Sequence, residues 1–85
     1  MKYFLIQYDG DEEIIETNEV DIENYHSVLD KVHYYDTKYK HNRQVIKEWI
    51  ESGEYKNDCL SISGDCEEED GFYTGTMYLE IEIKE

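Results

Sequence analysis

The sequence predicts an α+β fold with about four antiparallel strands in the order β-β-α-α-β-β and one or two helices packed on one face of the sheet. Three observations carry this expectation. Apolar residues alternate with period two at both ends of the chain, they recur at helical spacing through the middle, and glycine or Asp-Gly pairs stand near the changes of period. At 85 residues the chain is read as a single domain, residues 1–85, with a small core. Its apolar share of 39%, with nine Tyr, one Trp and nine Ile, is enough for a packed fold despite the charge.

The first strand is expected over residues 2–9, "KYFLIQYD", where Phe4, Ile6 and Tyr8 share one side. "DGDEE" follows as a hairpin turn, because Asp-Gly suits tight reversals. A second strand covers residues 13–17 and extends towards Val20, and the successive Ile14 and Ile15 leave its register open.

Asn24 or Asp21 is placed to cap a helix on which Tyr25, Val28, Leu29, Val32, Tyr35 and Tyr39 recur. Ile46, Trp49 and Ile50 keep the same phase. One rod of that length would run ~43 Å, much longer than eight-residue strands at ~3.3 Å per residue, so a break is predicted in "YDTKYKHN". Asn42 then caps a second helix, and Gly53 takes the left-handed position at its end. Leu60 and Ile62 face one way on a third strand, and residues 64–71 read as a polar loop. In the last strand Met77, Leu79, Ile81 and Ile83 oppose Thr76, Tyr78, Glu80, Glu82 and Lys84, the pattern of a half-buried antiparallel strand.

No metal, cofactor or catalytic site is expected. "DGDEEIIETNEV" begins like a calcium loop, but Ile14 stands at the glycine position and Val20 where a bidentate glutamate belongs; "DCEEEDGFYTGT" fails at the same two places, with Asp70 and Thr76. His26, His33 and His41 have no acid or thiol at a zinc spacing. Neither cysteine has a histidine placed beside it, and Cys66 precedes three glutamates that disfavour a thiolate. Two cysteines are too few for a disulfide framework, and no run of ~20 apolar residues offers a membrane span. A cytoplasmic protein with free thiols is expected.

Charge is the strongest signal. The net value is −14, and residues 1–30 and 57–85 each carry nine acids against one base, whereas residues 31–56 carry four acids and six bases. Such a chain is repelled by nucleic acid and anionic membranes and attracted to basic grooves. Edge protection and solubility explain some of the acids, but mixed charge would serve both with less self-repulsion. Duplex DNA carries one phosphate per ~3.4 Å on each strand, and same-face residues on a strand recur every ~6.7 Å. Two neighbouring rows of glutamates therefore match one row of phosphates, and the first hairpin with Glu16 and Glu19 can supply them together with "DCEEED", Glu80 and Glu82. The expected contacts are Asp11, Glu12, Glu13, Asp65, Glu67, Glu68, Glu69, Asp70, Glu80 and Glu82, with Tyr73 and Tyr78 as aromatic anchors among them.

In size, acidity and Tyr and Asp/Glu content the chain resembles the small phage-encoded inhibitors of host defence, among them anti-CRISPR proteins and DNA mimics such as the uracil-DNA glycosylase inhibitors. The likeness is one of class over the whole chain and transfers no residue roles. It implies a non-enzymatic DNA mimic acting in the host cytoplasm, whose partner is a basic nucleic-acid-binding defence nuclease or effector complex. An immunity-type module that neutralises a basic partner protein is the alternative. Lys31, Lys38, Lys40, Arg43 and Lys47 leave both a monomer and a homodimer open.

Overall fold

The computed structural model describes residues 1–32, 40–68 and 71–85, with the side chains of 40–42, 63–68 and 71–75 outside that description. Its elements are β1 (Lys2–Tyr8), β2 (Ile14–Val20), α1 (Tyr25–Leu29), α2 (Lys40–Glu51), a 3₁₀ turn (Glu54–Lys56), β3 (Leu60–Glu68) and β4 (Gly71–Lys84). The α+β class and the β-β-α-α-β-β order are those expected. All strand pairs are antiparallel, and the sheet order is β2-β1-β4-β3, which places β1 and β4 side by side at its centre.

Period-two alternation sorts the strands into two faces. Leu5 on β1, Val20 on β2, Ile62 on β3 and Met77, Leu79 and Ile81 on β4 join Val28, Leu29, Val32, Ile46, Trp49 and Ile50 in one core. Ile6 is also buried but does not belong to that cluster, because it points to the opposite face. A strand reading "YFLIQY" carries apolar or aromatic residues on both sides, one set facing the helices and the other, Phe4, Ile6 and Tyr8, facing away from them.

Asn24 caps α1 by accepting a hydrogen bond from the His26 amide at 3.1 Å. Asp21, the other candidate, instead closes a turn through the Glu23 amide. The helix is shorter than its apolar stripe suggests. It ends at Leu29, where the Asp30 and Lys31 amides turn back to the His26 and Val28 carbonyls. Just beyond, the Lys31 carbonyl accepts from Nε2 of Gln7, a fully buried side chain, at 2.7 Å. That bond fixes the chain after α1 against the centre of the sheet, and Val32 still reaches the core. Tyr35 and Tyr39, expected on the same stripe, lie outside the described residues.

Two further expectations are corrected by the structure. Asn42 is a residue of α2 and not its cap, because the chain is already helical at Lys40. Residues 64–68 and 71 are strand, not loop: Gly64 pairs with Gly75, Asp65 with Thr74, Cys66 with Tyr73, Glu67 with Phe72 and Glu68 with Gly71. Ladder pairing is a backbone property, and a run of charge hides it by removing the apolar alternation that marks a strand.

Gly53 does take the left-handed position after α2, with φ 83°. It leads into the 3₁₀ turn, which was not expected and which sets Tyr55 edge-on to both Tyr3 and Trp49. Trp49 donates its indole N–H to the Asp58 carbonyl at 2.9 Å. In the first hairpin the left-handed residue is Glu12, φ 64°, and not Gly10. Asp9 organises this turn: its carbonyl accepts from the Glu12 amide and its Oδ1 accepts from the amides of Asp11 and Glu13. Ile15 is the extra residue of a bulge, since Gln7 pairs with Glu16 while Tyr8 pairs with Ile14.

Two stability outcomes follow from these contacts. Glu12→Gly removes a left-handed non-glycine residue and is expected to raise unfolding free energy by about 0.5–1 kcal/mol in urea titration; a loss of stability contradicts the turn geometry. Gln7→Ala removes a buried side chain and its bond to the Lys31 carbonyl, with an expected loss of about 2–4 kcal/mol. A loss below about 1 kcal/mol means that the tether contributes nothing.

Candidate functional site

Opposite the helices, the sheet presents a face that no described element covers. β1 contributes Lys2, Phe4, Ile6 and Tyr8, β4 contributes Tyr78, Glu80, Glu82 and Lys84, and β2 contributes Thr17 and Glu19, as their registers require. Phe4 lies between Glu19 on one side and Glu82 on the other, Ile6 lies between Thr17 and Glu80, and Tyr8 is directly opposite Tyr78. An apolar and aromatic stripe thus runs along β1, with Glu19 on its β2 side and Glu80 and Glu82 on its β4 side. Ile14, 62% exposed, and Ile15, 39% exposed, extend the apolar surface beside Tyr8.

Lys84 shows how this face handles positive charge. Its Nζ sits 5.1 Å from the centroid of the Phe4 ring and 3.9 Å from a Glu82 carboxylate oxygen. Both partners are well exposed, so the pair adds little to stability, but it shows a cation resting on aromatic surface beside a glutamate.

At the other end of the same strands Tyr8, Glu12, Cys59, Tyr78 and Glu80 line a depression of about 340 Å³. The turn carrying Glu12 lies close to β4 there, so that a Cβ added at Gly10 would meet the Thr76 carbonyl at 3.5 Å. Glu80 is the hub. Its Oε2 accepts from the Cys59 thiol at 3.6 Å, and Tyr8 lines the same depression. Loss of water against the sheet pushes the Tyr8 phenol up, and the charge of Glu80 adds to this. The Cys59 thiol is raised as well, by desolvation first, then by the Glu80 hydrogen bond and the charges of Glu80 and Asp58. These surroundings favour the protonated thiol, which donates to Glu80, the wrong environment for a nucleophilic thiolate.

The expected contact residues divide accordingly. Glu12, Tyr78 and Glu80 meet at this depression, Glu82 lies farther along the same face, and Asp11 and Glu13 are exposed in the adjoining turn. Asp65, Glu67, Glu68 and Tyr73 are strand residues whose side chains lie outside the description, and Glu69 and Asp70 lie outside the described residues altogether. Glu16 does not join the acidic face. It pairs with buried Gln7 on the helix side, and Gln7 Nε2 lies 3.4 Å from its carboxylate. Of the two neighbouring rows of glutamates expected from the sequence, Glu80 and Glu82 on β4 and Glu19 on β2 share this face with β1 between them, and the side chains of "DCEEED" lie outside the description. Tyr8 and Cys59 were missed as site residues, although the shared side of Phe4, Ile6 and Tyr8 was a usable signal.

Among the described residues no group of three or more His, Cys, Asp or Glu side chains is arranged to hold a metal, and no helix is long and apolar enough to cross a membrane. No protein-family model, characterised protein or solved structure matches the chain.

The Cys59 environment has a measurable consequence. The folded state holds the thiol proton more tightly than the unfolded chain, so the stability this provides is fully present below the ordinary thiol pKa and is lost as pH rises through the raised value. In a Cys66→Ser background, Cys59 is expected to alkylate more slowly than a free cysteine near neutral pH. Glu80→Gln should speed the reaction roughly threefold or more, because the rate follows the thiolate fraction; equal rates in the two proteins contradict the contact.

Proposed function

We propose that the chain is a non-enzymatic binding protein that docks its open sheet face and first hairpin on the basic, nucleic-acid-binding surface of another protein and excludes nucleic acid from it. The observation that supports this most is the layout of the face: Phe4, Ile6, Tyr8 and Tyr78 along the middle, with Glu19, Glu80 and Glu82 beside them. Tyrosine and phenylalanine supply rigid contact area at interface centres, and flanking charge sets orientation and partner choice. The net charge of −14 draws the molecule towards basic surfaces before contact. The partner class to which the resemblance points, a host defence nuclease or effector complex, is the one proposed.

A second reading has its own support. Strand β1 separates Glu19 from Glu82 by two strand spacings, about 9.5 Å, so the described carboxylates are sparser than phosphates. A module of the immunity type, which grips a basic partner through side-chain contacts away from any nucleic-acid groove, fits that spacing equally well.

A DNA-binding assay on purified defence nucleases and effector complexes, with this protein as competitor, separates the two readings. The expected outcome is displacement of target DNA that weakens as salt rises. In Glu80→Lys/Glu82→Lys the inhibition should fall by roughly tenfold or more, as for lost charge pairs at an interface. A protein that binds the nuclease while DNA stays bound removes groove occupation and leaves the immunity-type reading.

A further inference from the structure

We infer that the depression between Tyr8 and Tyr78 is a receptor for one arginine side chain of the partner, held by Glu80 and Glu12, which line it. This deepens the proposed function and rests on it for the source of the arginine; the chemistry of the pocket stands on its own.

The first support is repetition within the face. Phe4 on β1 and Glu82 on β4 face each other, and the chain's own Lys84 occupies that position. Farther along the same two strands, Tyr8 and Tyr78 stand opposite one another with Glu80 beside them. That second arrangement has a cavity in place of a cation, and no lysine or arginine lines it among the described residues. Its volume of about 340 Å³ is near the lower end of the ~300–1,000 Å³ range of ligand pockets, in keeping with one side chain.

The second support is the hydrogen-bond count at Glu80. A carboxylate offers about four acceptor positions, and among the described residues one is taken, by the Cys59 thiol. A thiol is neutral and does not cancel its charge. That bond leaves the carboxylate capacity for a charged donor. A planar guanidinium suits the remainder better than an ammonium does, because it can pair with the carboxylate in a fork and stack on the flanking phenol rings at the same time. The partly desolvated walls that raise the Tyr8 phenol also strengthen such a pair.

The test is an amide-detected NMR titration at low salt with N-acetyl-arginine amide, repeated with N-acetyl-lysine amide and with the protein variants Glu80→Gln and Glu54→Gln, each first checked for a native spectrum. Glu54 is exposed on the helix side and serves as the charge control. The expected result is saturable shifts centred on Tyr8, Cys59, Tyr78 and Glu80, weaker binding of the lysine probe, roughly tenfold or greater weakening in Glu80→Gln, and none in Glu54→Gln. Shifts spread over all exposed acids, or equal affinity in wild type and Glu80→Gln, overturn the assignment. The outcome is separable from the competition assay. Arginine in the pocket without DNA displacement removes groove occupation alone, and DNA displacement by a protein whose pocket ignores arginine removes the pocket alone.

Discussion

The pairing of β1 with β4 is the constraint on which the rest of the structure depends. It runs from Lys2 opposite Lys84 to Tyr8 opposite Tyr78 and joins two hairpins that would otherwise be separate ribbons. A two-stranded hairpin alone is marginal in water, whereas four strands carrying one apolar face against helices make a stable layer. The same register decides what each face contains. With Leu5 and Gln7 turned to the helices, Phe4, Ile6 and Tyr8 must face away, and β4 must bring Glu82, Glu80 and Tyr78 beside them. Core and candidate site are the two sides of one ladder, and a shift by one residue would exchange them.

Much of this architecture was readable locally. The alternation from Met77 to Lys84 assigned both faces of β4, and Asn24 and Gly53 marked a helix start and a helix end because each does a job that few other residues do well. What stayed hidden was non-local. Helical spacing continued past Leu29, yet the helix stops there, and the Lys31 carbonyl bonds to Gln7, 24 positions away. The extension of β3 and β4 into "GDCEEEDG" depends on each strand having the other as partner, which no window of either sequence contains. The Ile15 bulge is likewise a property of the pair and not of the strand.

The candidate site shows the same division. Charge alone singled out Glu12, Glu80 and Glu82, and the open-face parity of Tyr78 was correct. Charge could not show that Glu16 turns to the helices, since its side is fixed by its pairing with Gln7. Nor could it find Cys59, whose place beside Glu80 comes from a strand pairing across 21 residues. Among the described residues the face is an aromatic strip with acidic borders, and both readings of its use are argued from that layout.

The central ladder also governs when the protein can acquire its shape. Its two strands, Lys2–Tyr8 and Gly71–Lys84, stand far apart in sequence, and such long-range closure slows folding. During synthesis, β1 and β2 must wait as an unsupported hairpin until β4 has left the ribosome. Through that interval the apolar sides of "YFLI" are exposed with only the surrounding acids to discourage aggregation. Some of the negative charge around the first hairpin thus has a task in the nascent chain, before any binding partner is met.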